Sequence, residues 1–124
     1  MFAAKRFRIW CAQVVITLLS ISSVPAARAD VFCQGTLTTM HVMIDGTLLV
    51  NPSWRADYIR LCSLSGTPTD ITVCASWVAI AKEAVRSAKN VGAYYFDTSG
   101  TLTCASLPSN TSAPVPALFM LITG

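Results

Sequence analysis

The cysteines constrain this chain more than any other feature. Four of the five, Cys33, Cys62, Cys74 and Cys104, fall between residues 30 and 124, and none forms a C-x-x-C pair. The fifth, Cys11, lies in an N-terminal stretch with the marks of a secretory leader. Lys5, Arg6 and Arg8 make a basic start, and an apolar run follows from Val14 to Val24. Pro25 then breaks any helix, and Ala27-Arg28-Ala29 has the small-x-small pattern a signal peptidase accepts. The expected cut after Ala29 divides the chain into a leader, 1–29, and one mature domain, 30–124. A spanning helix needs about 20 apolar residues. The run from Val14 to Val24 is shorter, as is the run from Ala117 to Ile122.

An even number of cysteines in a small exported domain reads as two disulfides. A domain of about 95 residues is marginal on its core alone, and each bridge adds roughly 3 kcal/mol by restricting the unfolded chain. Four cysteines allow three pairings, and the sequence alone does not decide among them. A short local Cys62–Cys74 bridge would leave Cys33 with Cys104, and Cys33–Cys62 with Cys74–Cys104 is the main rival. The expected location is secreted or periplasmic.

Loss of the leader changes the charge argument. The whole chain carries +3. Residues 30–124 keep five basic residues (Arg55, Arg60, Lys82, Arg86, Lys89) against six acidic ones (Asp30, Asp45, Asp57, Asp70, Glu83, Asp97), a net of −1. That balance lacks the basic field nucleic-acid binding needs. It also lacks a polybasic membrane patch. A surface so poor in charge favours contact with a partner or a second copy.

The mature chain reads as strands around one helix. Cys33–Thr39 alternates as a first strand. Asp45-Gly46 sits between two apolar triplets, 42–44 and 48–50, and predicts a two-residue hairpin with positive φ at both turn positions. Asn51-Pro52-Ser53 is expected to end the second strand, and Ala56–Cys62 forms a third. Thr67, Pro68 and Asp70 compose a helix start with a capping box. The apolar stripe Cys74, Trp77, Val78, Ala81, Ala84, Val85 and Ala88 then predicts a helix to about Lys89, leaving through a left-handed Asn90. Val91–Phe96 reads as a strand, Leu102–Leu107 as a further one, and Pro108–Pro116 as a loop. Ala117–Thr123 closes the chain as an apolar strand, central or covered on both faces. The fold class is therefore α+β. It is a small antiparallel sheet or OB-like barrel of five to six strands, the barrel preferred, with the helix between strands 3 and 4.

Few residues carry chemistry. His41, the only histidine, opens no evident triad. Asp57 and Glu83 are the nearest approach to a carboxylate pair, and phosphate-binding glycine loops and redox dithiols are missing. Asn110-Thr111-Ser112 is formally a glycosylation sequon, read here as loop composition. No catalytic residue, cofactor or metal site is assigned. Two aromatic groups suit binding: Trp54, Arg55, Tyr58 and Arg60, and the run Tyr94-Tyr95-Phe96, of which Tyr94 is the candidate contact. Trp77 is expected in the core.

Cys33-Gln34-Gly35, Asp45-Gly46, Leu61-Cys62, the Cys74 helix ending in Ala88-Lys89-Asn90, and Tyr94-Tyr95 before Cys104 resemble small exported four-cysteine bacterial proteins. That resemblance implies a disulfide-bonded domain and no particular activity. In element order only, the chain is similar to the OB-fold receptor-binding subunits of AB5 toxins, exported proteins that bind glycans as pentameric rings. The expected function is a non-catalytic binding module for a protein or glycan, with a possible homo-oligomer. The rival is an inhibitor or accessory protein that presents the Pro108–Pro116 loop to an enzyme or secretion system. A hydrolase using His41 is the third class.

Overall fold

The computed structural model describes residues 30–124. The expected leader, 1–29, lies outside the described residues. Five strands and one helix follow in the order β1 (Val31–Val42), β2 (Thr47–Pro52), β3 (Ile59–Ser63), α1 (Pro68–Ser87), β4 (Asn90–Tyr95) and β5 (Leu118–Leu121). The strands form one antiparallel sheet in the order β3-β2-β1-β4-β5.

β1 is long because it serves two halves of that sheet. Its first half pairs with β4, from Val31 opposite Tyr95 to Thr36 opposite Asn90. Its second half pairs with β2, with a register shift between Leu37 and Thr39. Such a bulge bends a strand and sharpens its twist, which lets one strand turn from one neighbour to the other. The sheet wraps a core that includes Cys33, Leu37, Leu48, Val50, Ile59, Leu61, Val91 and Tyr95. From α1, Cys74, Ala81 and Ala84 enter that core. Small side chains at 81 and 84 let the helix backbone lie near the strands.

Both disulfides are present, as Cys33–Cys104 and Cys62–Cys74, each with a Cα separation of 5.5 Å. The first ties β1 to the irregular segment between β4 and β5. The second ties β3 to α1. The rival pairing is thereby excluded, and an oxidising compartment is the setting in which such bonds persist. Among the described residues no helix is long and apolar enough to cross a membrane.

Several local expectations change. The hairpin is not a two-residue turn. Gly46 N–H donates to Met43 O at 2.9 Å, and Met43 N–H donates to Thr47 O at 2.8 Å. Only Gly46 has positive φ, at 88°. This is a type I turn closed by a glycine in the left-handed region, the three-residue hairpin solution. Asp45 needs no positive φ and instead accepts from Thr47 N–H at 2.9 Å. β2 continues through Pro52, opposite Leu37, because a proline is tolerated at a strand end. The chain then turns over Ser53–Asp57, with Ala56 at φ 55°, so β3 starts at Ile59.

The capping box forms as read: Thr67 Oγ1 accepts from Asp70 N–H, and Asp70 accepts from Thr67 N–H. The left-handed exit falls on Ala88 (φ 51°), not Asn90. Asn90 is committed to β4 opposite Thr36, so the turn must be complete before it. Leu102–Leu107 is not a strand. Thr103 and Ser106 satisfy each other's amides with their hydroxyls, a local alternative to a ladder. β5 lies at the edge of the sheet, not its centre.

Asp97 organises the turn after β4. It is 4% exposed, and its carboxylate accepts from Ser99 Oγ at 2.7 Å, Leu102 N–H at 2.7 Å and Ser99 N–H at 3.0 Å. The Ser99 hydroxyl, then the Leu102 amide, hold its pKa below the ordinary 3.8. A depressed native pKa stabilises the fold above the unfolded value, and that contribution disappears as pH falls through the native value. Asp97→Asn should therefore lower the urea midpoint at pH 7, and the gap to the parent should close in acid below the native pKa. A gap that is equal at both pH values would contradict this role.

Candidate functional site

The structure gathers Trp54, Arg55, Tyr58 and Arg60 at the start of β3 but gives the arginines a structural task. Arg55 Nε donates to Leu107 O at 2.6 Å, and Arg60 Nε donates to Ala113 O at 3.2 Å. Between those points the main chain of Asn110 bridges β3: Arg60 N–H donates to Asn110 O at 3.0 Å, and Asn110 N–H to Tyr58 O at 2.6 Å. Residues 107–113 are thus a strap along the outer edge of β3, clamped by two guanidinium groups. Leu107 and Ala113, beneath the clamps, are fully buried.

Trp54 closes the end of the core beside this strap. Its turn fits tightly against β1, where Ser53 N–H donates to Thr36 O and Ser53 Oγ accepts from Thr36 N–H. Gly35 makes that fit possible. A Cβ there would stand 2.1 Å from Ser53 Oγ and 3.3 Å from the Trp54 ring. Tyr58 instead faces the other half of the hairpin. Its hydroxyl shares a hydrogen bond with Thr39 Oγ1 at 2.9 Å, and its ring meets His41 edge-on at 4.8 Å. His41 makes no hydrogen bond to a serine or carboxylate among the described residues.

Tyr94 belongs to a different surface. On β4 it stands in register between Phe32 of β1 and Leu118 of β5. Its hydroxyl donates to the Asp30 carboxylate, and its ring meets Phe96 edge-on at 5.5 Å. Cys33, Val91, Ala93, Tyr95 and Phe119 point into the core, so strand alternation turns Phe32, Tyr94, Leu118 and Met120 outward. Phe32 is 46% exposed, Phe96 61% and Leu118 44%. Gly92 sits beneath Phe32, and a Cβ there would come within 2.4 Å of the ring. The glycine lets the phenyl group lie down on the sheet. The result is an apolar, aromatic patch on the outer face of β1, β4 and β5. The sequence placed Tyr94 and Phe96 on one side. It missed Phe32 and Leu118, whose only signal was alternation with buried neighbours.

A cavity of about 350 Å³ opens where β3 and β5 fail to meet, lined by Ser63, Asp70, Val73, Trp77, Val115 and Ala117 among others. Trp77 is half-buried there, edge-on to Phe119 at 5.9 Å, so it serves the core and the cavity wall together. Asp70 is committed to its cap.

The remaining chemistry is dispersed. Asp57 caps its neighbour's amide, while Glu83 binds Arg86 at 2.7 Å and Ser87 at 2.7 Å. The Ser87 hydroxyl, then Arg86, keep the Glu83 pKa below its usual range. Among the described residues no group of three or more His, Cys, Asp or Glu could hold a metal ion. What these surfaces offer a ligand is apolar and aromatic contact.

Arg55→Ala and Arg60→Ala should each cost about 1.5–3 kcal/mol, the range for a hydrogen bond with one charged partner. Both should speed hydrogen exchange at the Asn110 and Arg60 amides. Unchanged exchange at those amides would show that the strap does not depend on the guanidinium groups. Comparison with protein-family models, with curated proteins and with solved structures finds no match for this chain.

Proposed function

We propose that this chain is an exported, disulfide-stabilised binding module that takes a protein or glycan partner on the outer face of β1, β4 and β5, without catalysis of its own. The observation that carries the reading is the solvent exposure of Phe32, Phe96 and Leu118 around Tyr94. Large apolar groups gathered on an exposed sheet face, with a hydrogen-bonding tyrosine among them, have the composition of a contact surface. The net charge of −1 on residues 30–124 disfavours nucleic acid as the partner.

The strand order supports an OB-like reading of the same scaffold. β1 is shared by two half-sheets, and the helix separates β3 from β4. An OB barrel has this order and commonly binds oligosaccharides or oligonucleotides. Here the seam between β3 and β5 holds the strap and the cavity instead of a strand pairing.

The accessory-protein reading keeps one observation of its own. The Pro108–Pro116 loop is strapped to β3, but Ile44 at the tip of the β1–β2 hairpin is completely exposed, and Val42 and Met43 beside it are partly so. An enzyme cleft would then meet the hairpin tip.

The test is a glycan array beside a pull-down from periplasmic extract, each run with the parent, Phe96→Ala and Ile44→Ser. Truncating a central aromatic contact costs about 2 kcal/mol or more, roughly a thirtyfold loss of affinity. Loss with Phe96→Ala alone supports the sheet-face site. Loss with Ile44→Ser alone replaces it with the hairpin tip, and binding indifferent to both overturns each.

A further inference from the structure

The two edges of the sheet are finished differently. The edge of β3 is covered by the strap through Asn110. Among the described residues β5 has no such cover. Met120 stands opposite Gly92, and Ile122 N–H donates to Asn90 O at 2.8 Å. The antiparallel ladder alternates, so the main-chain groups of Phe119 and Leu121 face away from β4. Among the described residues no strand pairs with that edge.

Monomeric proteins guard such an edge with a charge, a proline, a bulge or a covering segment. From Ala117 to Thr123 the chain reads Ala-Leu-Phe-Met-Leu-Ile-Thr, with no charge and no proline. Its outward side chains, Leu118 and Met120, continue the apolar patch of Phe32 and Phe96 to the edge itself.

We propose that β5 is a dimerisation edge, at which two copies of this chain pair antiparallel and join their sheets into one of ten strands. Main-chain pairing asks little of a partner strand beyond a compatible apolar face, and a second copy of β5 supplies one, uncharged and in a self-matching register. A two-fold axis through Met120 sets Phe119 opposite Leu121 of the partner subunit, and the reverse, so the outward amides and carbonyls of both satisfy each other. No like charges meet, because the strand has none and residues 30–124 carry only −1. Such a contact is isologous and closes on itself. The paired strands are short, so the dimer dissociates on dilution.

The test is sedimentation equilibrium and native mass spectrometry of the oxidised protein across a wide concentration range. Leu121→Pro removes an amide that faces outward and leaves the β4 ladder intact, an edge position where proline is tolerated. Met120→Lys places two ammonium groups against each other at the axis. The parent should dimerise reversibly. Both variants should weaken dimerisation more than tenfold, and added salt should partly rescue only Met120→Lys. At a concentration where the parent is monomeric, the urea midpoint should be unchanged in Met120→Lys and lowered in Leu121→Pro, whose parent side chain packs against the core. Met120→Lys carries the test alone if Leu121→Pro does not fold. A parent that stays monomeric, forms a larger ring, or keeps its dimer in Met120→Lys overturns the proposal.

Discussion

The Cys33–Cys104 bond is the link on which the rest of this molecule depends. Cys33 lies fully buried in β1, the strand both half-sheets share. Cys104 lies in residues 96–117, which contain no strand or helix. A segment of that length loses much conformational entropy when it orders, and only scattered contacts repay it. A cross-link between residues 71 apart in sequence removes about 4 kcal/mol of that freedom from the unfolded chain. The Asp97 turn, the Thr103–Ser106 pair and the arginine clamps then fix the path on either side of Cys104. β5 follows directly after, so the edge of the sheet and its outer patch inherit their position from this bond.

Local signals were readable wherever a few adjacent residues decide the structure. Gly46 located the hairpin, and Thr67, Pro68 and Asp70 located the helix start, because turns and caps are satisfied by near neighbours. Other features depend on distant residues. Pro52 reads as a breaker, yet it ends a paired strand because Leu37 stands opposite it. The apolar run ending at Ile122 reads as buried on both faces, and only tertiary position makes it an edge. Arg55 and Arg60 beside Trp54 and Tyr58 look like a binding cluster. Their partners are carbonyls more than 50 residues away, which no local pattern reveals. Phe32 and Leu118 became part of a surface only once the register of three strands was known.

A division of labour follows from these placements. The inner face of the sheet, the helix and the two disulfides form a scaffold in which Arg55, Arg60 and Asp97 are committed to main-chain groups. The β3 edge is sealed by the strap, and the seam beside it holds a modest cavity. Exposed aromatic area collects on the outer face of β1, β4 and β5, while exposed aliphatic side chains stand at the tip of the β1–β2 hairpin and, as Val73 and Val115, beside the cavity. Rigid support beneath an aromatic patch reduces the entropy lost on binding, and the long-range disulfide supplies that support.

The most direct measurement is peptide mapping of the purified protein, digested without reduction and read by mass spectrometry. The account predicts linked fragments containing Cys33 with Cys104 and Cys62 with Cys74, and no free thiol among these four. Fragments joining Cys33 to Cys62, or unpaired cysteines, would contradict it.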